Sequence, residues 1–252
     1  MVRAPLAPIR QSLLLASVAF GLMAAACGRS TPAADPAAPA QEGAPASAPE
    51  APTTAGGQTA FRIAFLGDSI TAGYGLTTAR AYPNLILEMF AAEGYTEVEV
   101  VNNGFSNDTT AGGVRRVEQS LEPGVRVVVV ALGGNDALRG LSAAQTKENL
   151  TKIIETIGRR GVGVLLVGMQ APTNLGLDYQ AAFREVFVEL AGEYRGRISH
   201  VPFLLEGVAG QPALNQADGI HPNEAGQKVI AELLYPALRR MVDEMSGGPG
   251  RE

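Results

Sequence analysis

From residue 61 onward, short apolar runs alternate with stretches in which apolar residues recur every three or four positions. The runs are rich in valine, leucine and isoleucine, and they end at glycine or at polar residues, which is typical of β-strands. Two of the runs, 126–132 and 162–167, lack polar alternation, as strands do when both of their faces are covered. We therefore predict five strands, at 61–66, 98–101, 126–132, 162–167 and 198–201.

Three amphipathic stretches predict helices that separate or follow these strands. Apolar residues within 150–157 and within 179–190 follow the i, i+3, i+4, i+7 spacing of one helix face. Asp178 is placed to cap the second of these helices at its N-terminus. A third helix is predicted to begin at Asn223, and Pro236 within it predicts a kink or a split because proline lacks the helical hydrogen-bond donor.

This alternation predicts an α/β fold, in which a central parallel sheet of about five strands lies between two helical layers. Crossovers between parallel strands are right-handed, and the loops that follow the strands reach the same edge of the sheet. Ligands bind at that edge in folds of this kind. The residues directly after each strand are therefore the informative ones for function.

The first 60 residues do not fit this pattern. Arg3 and Arg10 precede an uncharged apolar run, 12–26, which is shorter than the roughly 20 residues that span a bilayer as a helix. This arrangement predicts a signal peptide in residues 1–26 and export of the protein. The single cysteine of the chain, Cys27, directly follows three alanines.

The alanines before Cys27 resemble the lipobox of bacterial lipoproteins, in which the cysteine is lipidated and becomes the new N-terminus. The match departs from the usual motif, because Leu22 lies five positions before the cysteine instead of three. We predict lipidation of Cys27, with an ordinary cleavable signal as the alternative. Residues 27–60 contain six prolines and no aromatic residue, which predicts a disordered tether to a domain at 61–245, followed by a disordered tail at 246–252.

A lipidated Cys27 would attach the protein to a membrane, so the predicted location is the periplasm or the cell envelope; without the lipid, the protein would be secreted. One cysteine excludes an intramolecular disulfide and a cysteine-rich zinc site. The chain has 20 Lys and Arg against 25 Asp and Glu with no basic cluster, so we expect no nucleic-acid partner. One histidine near Asp218 does not make a three-ligand metal site. We expect no metal or organic cofactor, and a monomer is the default.

Glycine and polar residues follow every predicted strand. The segments that the topology would bring to one edge are Gly67–Ile70, Asn102–Thr109, Gly133–Asp136, Gly168–Pro172 and Asp218–Asn223. Each segment alone has a structural explanation as a turn or as a helix cap. Five such segments in order, each after a strand, favour a shared functional site.

These segments hold the groups that acyl transfer requires. Ser69 becomes a nucleophile when a base removes its proton, and His221 is the natural base because a reference pKa of about 6.5 suits neutral pH. Asp218, three residues earlier, can bind the other ring nitrogen. The oxyanion needs hydrogen-bond donors. The candidates are the Ser69 backbone N–H, a backbone N–H of the second segment and the Asn135 side chain.

In this arrangement the sequence resembles the GDSL, or SGNH, hydrolase family from about Phe61 to Met245. The four blocks of that family correspond to Gly67–Ile70, Asn102–Thr110, Gly133–Asp136 and Asp218–Pro222. Residues 135–140 and 169–176 are similar to the bacterial arylesterase and multifunctional thioesterase/lysophospholipase branch. The resemblance implies a three-layer α/β/α, flavodoxin-like fold.

The resemblance also implies the site residues: Ser69 is the nucleophile, His221 the base, Asp218 its partner and Asn135 an oxyanion donor. One position departs from the branch, whose second block has a glycine that donates its N–H to the oxyanion. Asn107 stands there in this chain. Because the donor is a backbone amide and asparagine tolerates left-handed backbone geometry, we assign this donor to Asn107.

Two further residues, Asp68 and Gly104, are expected to support the site, and Gly104 matches the first glycine of the second block. The implied reaction is hydrolysis of acyl esters, aryl esters, thioesters or lysophospholipids through an acyl-serine, and the residues do not decide among these substrates. Two alternatives stay open: a tethered, non-catalytic ligand-binding module, and a carbohydrate O-acetylesterase of the same family. His200, in the fifth predicted strand, is interpreted as a structural residue.

Overall fold

A computed structural model describes residues 60–246 of the chain. The predicted signal peptide, Cys27 with its tether as far as residue 59, and residues 247–252 of the predicted tail lie outside the described residues. Within residues 60–246, no helix combines the length and the apolar character that crossing a lipid bilayer requires.

Five strands lie in one sheet. They are β1 (Phe61–Gly67), β2 (Val98–Gly104), β3 (Val125–Ala131), β4 (Gly163–Val167) and β5 (Ser199–Val201). All neighbouring strands are parallel, and their order across the sheet is β2-β1-β3-β4-β5. The predicted α/β fold with a central parallel sheet of five strands is therefore confirmed.

Helices cover the sheet in two groups. The helices are α1 (Ser69–Ala72), α2 (Tyr82–Ala92), α3 (Thr110–Arg116), α4 (Gly134–Leu138), α5 (Ala143–Arg159), α6 (Leu177–Glu193) and α7 (Glu224–Ser246). In one group α2 packs against α7, and in the other α3 and α6 both pack against α5. The central strand β3 is buried at every position except Arg126, because it has a helical layer on each face.

Three local predictions need correction. Asn102 and Asn103, predicted as loop, belong to β2, where parallel pairing with β1 continues as far as Gly104. The N-cap of α6 is Gly176, with φ at +84°, so Asp178 lies within the first turn and is not the cap. Pro236 does not split α7, which is one continuous helix of 23 residues packed along α2. Packing along that length offsets the one hydrogen bond that proline cannot donate.

The two ends of the described domain lie at the same edge of the sheet. Because all strands are parallel, Phe61 enters at the amino edge and Ser69 follows at the opposite, carboxyl edge. Helix α7 begins at the carboxyl edge, directly after the segment that holds His221, and ends at the amino edge. There Met245 borders a surface cavity with Gly163, the first residue of β4.

Candidate active site

The segments that follow β1, β2 and β3, together with the segment between β5 and α7, meet at the carboxyl edge of the sheet. Ser69 is the first residue of α1, directly after β1, so its backbone N–H has no acceptor within the helix. Asp68 caps this short helix, because its Oδ1 accepts a hydrogen bond from the Ile70 N–H at 3.0 Å. The local fold thus places the Ser69 side chain at the edge of the sheet with a free N–H beside it.

Three of the predicted side chains form a continuous chain of contacts. The Ser69 Oγ lies 3.0 Å from His221 Nε2, although the two residues are 152 positions apart. His221 Nδ1 lies 2.7 Å from Asp218 Oδ2. The other Asp218 oxygen accepts hydrogen bonds from the backbone N–H groups of Ile220, at 2.9 Å, and His221, at 3.0 Å. The structure therefore brings the hydroxyl, imidazole and carboxylate within hydrogen-bond distance of one another.

The contacts of Asp218 fix its charge. Hydrogen bonds from the His221 backbone, the His221 ring and the Ile220 backbone lower the pKa of Asp218 to about 2. The carboxylate is therefore ionised at neutral pH and acts as an acceptor. An ionised partner at Nδ1 favours the tautomer that carries its proton there, which leaves Nε2 free to accept the proton of Ser69.

Asn107 has the backbone geometry that its position requires. It is the single non-glycine residue of positive φ among residues 60–246, with φ at +65°. Its N–H takes part in no backbone hydrogen bond within that range, while its carbonyl accepts one from Arg139 Nη2 at 2.9 Å. Asparagine thus adopts here the left-handed conformation that glycine adopts most easily, and its amide stays available to a ligand.

Asn135 lies in α4, beside Asp68. Its Nδ2 donates to Asp68 Oδ2 at 3.4 Å, and its second amide hydrogen is available to a ligand. Asp68 is buried, and burial raises the pKa of its carboxyl to about 6, against the lowering effects of the Ile70 N–H and the His221 charge. Asp68 therefore connects the cap of α1 to the side chain of Asn135.

Gly104 is required by close packing. A Cβ atom at this position would lie 2.2 Å from the backbone nitrogen of Ala72, at the end of α1. The last residue of β2 therefore lies against the helix that carries Ser69. Any side chain at Gly104 would push that helix away from the sheet.

Sequence reasoning missed Arg116, the last residue of α3. Its guanidinium donates to the carbonyl oxygens of Gly67, at 2.7 Å, and Asn103, at 2.5 Å, and to Asp108 Oδ2, at 2.6 Å. One side chain thus joins the ends of β1 and β2 to the residue after Asn107. No local sequence pattern marks such a contact, because Gly67 and Arg116 are 49 positions apart.

Asp136 was also missed, although it follows Asn135 directly. Its buried carboxylate accepts hydrogen bonds from the backbone N–H of Thr110, at 2.8 Å, and from the Thr110 hydroxyl, at 2.5 Å. The N-terminus of α3 is therefore fixed to α4. The sequence signal was the acidic residue that ends Gly133–Asp136, a segment that on its own has an explanation as a turn.

His200 lies in β5, and its ring does not take part in the contacts around Ser69. Its Nε2 is buried without a hydrogen-bond partner in the described part of the chain, and burial lowers the pKa of the imidazole. Among residues 60–246, no three His, Cys, Asp or Glu side chains are grouped so that they could hold a metal ion.

An apolar cavity of about 370 Å³ adjoins the site. Ile70 and Ile220, the neighbours of Ser69 and His221 in the sequence, both line it. The segment after β4 contributes a wall from Met169 to Thr173, and Leu138 at the end of α4 contributes another part. The fourth predicted segment, Gly168–Pro172, thus borders this cavity rather than the three side chains in contact.

The exposed side chain of Tyr74 packs against the ring of His221. The rings of Tyr74 and His221 are 4.5 Å apart between centroids and inclined by 35°. Gln216 Nε2 donates to the Tyr74 carbonyl at 2.7 Å and fixes the loop on which the ring stands.

Comparison with known proteins agrees with this geometry. The chain is 41% identical over 178 residues to esterase TesA of Pseudomonas aeruginosa, covering 70% of this chain and 87% of that protein. It is 34% identical over 185 residues to thioesterase 1/protease 1/lysophospholipase L1 of Escherichia coli K12, covering 73% and 86%. Among solved structures it is similar to AlinE4, an SGNH-hydrolase family esterase, with a TM-score of 0.59, 38% identity and coverage of 72% and 96%.

A family model extends this similarity to most of the domain. The model of the GDSL-like lipase/acylhydrolase family matches residues 65–229, which is more than half of the chain and contains every side chain of the site. The resemblance that the four blocks indicated is confirmed, and with it the SGNH-hydrolase fold. The chain belongs to the GDSL-like lipase/acylhydrolase family.

Proposed function

We propose that this protein is a serine esterase that hydrolyses acyl esters or thioesters through an acyl-serine intermediate. The observation that carries the proposal is the contact chain from Ser69 Oγ through the His221 ring to Asp218. A serine hydroxyl is a weak nucleophile without a base in contact, and here the base is itself oriented by a carboxylate. The names of the relatives, esterase and thioesterase/lysophospholipase, support the same class of reaction.

In the first half of the reaction, His221 Nε2 takes the proton of Ser69 while Oγ attacks the carbonyl carbon of the substrate. The carbonyl oxygen becomes an oxyanion, which the backbone N–H groups of Ser69 and Asn107 and the Asn135 amide would stabilise. The tetrahedral intermediate collapses when the protonated imidazole gives its proton to the leaving oxygen or sulfur. The acyl group then remains as an ester on Ser69.

In the second half, water replaces the leaving group. His221 removes a proton from the water as its oxygen attacks the acyl-serine carbonyl, and the same three donors face the second oxyanion. The proton returns to Ser69 Oγ when the carboxylic acid leaves. Asp218 stays ionised throughout and stabilises the imidazolium that forms in each half.

The apolar cavity beside Ser69 supports an aliphatic acyl group as the part of the substrate that is bound most deeply. Its walls are formed mainly by Leu, Ile, Met, Ala and Pro side chains, and its volume of about 370 Å³ suits a short to medium acyl chain. An ester, a thioester and a lysophospholipid all present such a chain. The site residues favour none of the three.

We also propose that the protein is exported and carries a lipid on Cys27. The support is the sequence of residues 1–27, with its basic start, its apolar run and the alanines before the cysteine. Residues 28–60 would then separate the catalytic domain from the membrane. A Cys27→Ser variant expressed with the full leader should move from the membrane fraction to the soluble fraction, and equal distribution of both forms would contradict lipidation.

A fluorophosphonate probe tests the proposed function directly, because it forms a covalent bond with an activated serine. We expect labelling of the folded wild-type protein and no labelling of Ser69→Ala. Failure of the folded wild type to react would favour a non-catalytic ligand-binding module. A series of p-nitrophenyl esters of increasing acyl length, run beside a lysophospholipid, would then identify the preferred acyl group.

A further inference from the structure

The backbone N–H of Asn107, one of the proposed oxyanion donors, stands at the tip of a tight turn. The Asp108 N–H donates to the Phe105 carbonyl at 3.1 Å and closes a turn of four residues. Asn107 is the third residue of this turn and has φ at +65°, while Ser106 before it has a negative φ, which is the combination of a type II turn. The Asn107 N–H therefore belongs to the central peptide of the turn.

The direction of that central peptide is less secure with asparagine than with glycine. Glycine adopts a positive φ freely, whereas asparagine, like other residues with a Cβ, is more stable at negative φ. The competing type I turn has negative φ at its third residue and a central peptide rotated by about 150°, so its N–H points elsewhere. Because an oxyanion donor acts best when it is already in place, the turn at Asn107 needs contacts that maintain its observed form.

The base of the turn, next to the sheet, has such contacts. The Phe105 N–H donates to the Gly67 carbonyl at 3.0 Å, at the end of β1. The Asp108 side chain is buried and accepts a hydrogen bond from Arg116 Nε at 2.6 Å. These contacts fix where the turn begins and ends, but they do not reach its two central residues.

The tip of the turn is bound by one side chain. Within residues 60–246, a single hydrogen bond from outside the turn reaches Ser106 or Asn107, and it runs from Arg139 Nη2 to the Asn107 carbonyl at 2.9 Å. The Arg139 backbone N–H in turn donates to the Asn135 carbonyl at 3.2 Å, in the last turn of α4. Arg139 thus connects the residues that carry two of the three proposed oxyanion donors.

This contact has little value for the stability of the fold. Arg139 and Asn107 are both exposed, and a hydrogen bond that water can replace contributes little to the free energy of unfolding. Its effect is local: it fixes the Asn107 carbonyl relative to α4. Stability and catalysis should therefore respond differently to its loss.

We propose that Arg139 is a positioning residue that keeps the Asn107 N–H directed at the oxyanion. This inference rests on the proposed function, because it concerns the transition state of that reaction. Arg139 acts through the Asn107 carbonyl and exchanges no proton with the substrate. The substitution of asparagine for the glycine of the related enzymes is what makes this support necessary.

Arg139→Met tests the proposal, because methionine removes the donor and keeps an unbranched side chain. We expect kcat for p-nitrophenyl butanoate to fall about tenfold and KM to change less than twofold, since the oxyanion forms only after binding. The fall is smaller than the 10²–10³ (roughly) for a donor removed outright, because the base of the turn is retained. Butylboronic acid, which forms a tetrahedral anion with an activated serine, should bind more weakly by about the same factor as kcat falls.

Arg115→Met is the matched control. Arg115 lies in α3, which begins three residues after Asn107, and it is exposed like Arg139. Within residues 60–246 its side chain makes no hydrogen bond and no ion pair, so the substitution removes the same charge without a contact to the turn. We expect kcat, KM and the affinity for butylboronic acid to stay within a factor of two of the wild type. Equal losses in the two variants would overturn the assignment to Arg139.

Salt separates positioning from a direct effect of the Arg139 charge on the oxyanion. Raising the salt concentration from about 0.1 M to about 1 M shortens the Debye length from about 10 Å to about 3 Å. A fixed carbonyl is insensitive to this change, so we expect the ratio of kcat between the wild type and Arg139→Met to stay constant. A ratio that approaches 1 at high salt would mean that the charge acts directly, and the proposal would be wrong.

Each remaining outcome also decides the matter. Unchanged kcat and boronate affinity in Arg139→Met would show that the turn needs no support, and a rise in KM alone would show that Arg139 binds the substrate. Unfolding of Arg139→Met at a lower urea concentration than Arg115→Met would make the contact structural. All three results overturn the proposal and leave the esterase function intact, whereas a folded wild type that does not react with the fluorophosphonate would overturn both.

Discussion

The two halves of the candidate site are built in opposite ways. The half at the ends of β1, β2 and β3 rests on buried carboxylates: Asp68 and Asp136 are only 2% and 1% exposed, and their contacts join segments that are far apart in the chain. The half between β5 and α7 is open, and the Asp218 side chain there is 39% exposed. Several of its hydrogen bonds are local, as between the Gln216 N–H and the His221 carbonyl at 2.8 Å.

This difference corresponds to what each half has to do. Hydrogen-bond donors stabilise an oxyanion best when they are already in place as the charge forms. A buried hydrogen-bond network holds such donors in place because its side chains have few alternative positions. The histidine has to exchange protons with water and with a departing group, which requires access. Gln227 joins the halves, because its Nε2 donates to the Ile70 carbonyl at 3.0 Å from the first turns of α7. Substitutions in the two halves should therefore have different consequences.

The largest effect is expected from Asn135→Ala, in the buried half. Removing one oxyanion donor should lower kcat by a factor of about 10²–10³ and change KM little, because the interaction strengthens only in the transition state. Steady-state kinetics with a p-nitrophenyl ester, together with circular dichroism to verify the fold, measure this. Unchanged turnover in a folded variant would remove Asn135 from the mechanism.

Arg116→Ala should affect stability more than any substitution in the open half. The ion pair of Arg116 with Asp108 is enclosed, with side chains 16% and 9% exposed, so removing the cation leaves a buried carboxylate unpaired. We expect the free energy of unfolding to fall by about 3 kcal/mol, as for other buried pairs that lose one partner. Urea denaturation measures it.

Arg160→Ala is the matched control for that experiment. Arg160 pairs with Glu118 at 2.8 Å, but both side chains are exposed, and such a pair contributes about 0–1 kcal/mol. Equal losses in the two arginine variants would show that the contacts of Arg116 with the strand ends add nothing to stability.

Asp218→Asn tests the open half. In a buried triad this exchange lowers kcat by about 10⁴, because the imidazole takes the wrong tautomer. Around Asp218, water shares the stabilisation of the imidazolium, so we expect a loss of about 10² in kcat. A loss near 10⁴ would mean that the open half is closed to water during turnover.

The smallest effect is a pH dependence of stability from Asp68. Because its pKa is raised by burial from 3.8 to about 6, the folded state holds this proton more tightly than the unfolded state. The stabilisation is complete below about pH 4 and is lost as the pH rises through 6, which corresponds to about 2 kcal/mol between pH 4.5 and 6.5. Asp68→Asn should remove this slope from urea denaturation curves, and parallel profiles for the two proteins would contradict the assignment.

The pattern of apolar residues predicted the sheet well because the sequence of each strand indicates how many of its faces are buried. The apolar run at 126–132 predicts a strand that is covered on both faces. In the structure this strand, β3, begins and ends one residue earlier, at Val125 and Ala131. Helix α2 was missed although Tyr82, Leu85, Ile86, Met89 and Phe90 follow the spacing of one helix face. Helix α3 left no such pattern, because it has only seven residues and its Gly112 and Gly113 pack against buried atoms. Local sequence thus describes an element best when its environment is uniform along its length.

The residues of the site also differ in how well the sequence identifies them. Ser69 and Asn135 could be named from the sequence because each stands shortly after a predicted strand, where topology determines its location. Asp218 and His221 follow the fifth predicted strand only after 16 or more residues, and they were named from the chemistry that Ser69 needs and from the resemblance to the hydrolase family. Arg116 could not be named, because its contacts are made with backbone carbonyls that every residue possesses. A contact with a backbone carbonyl places no requirement on the residue type of the partner, so the sequence does not indicate it.

The course of the chain through the domain has a practical consequence. Phe61 and Ser246 both lie at the sheet edge opposite Ser69, about 20 Å away along β1. A bead, an electrode or a fused reporter domain attached at either terminus of residues 60–246 would therefore lie on the opposite side of the domain from Ser69 and leave the site accessible. Immobilised preparations coupled through these termini should retain the turnover of the free enzyme.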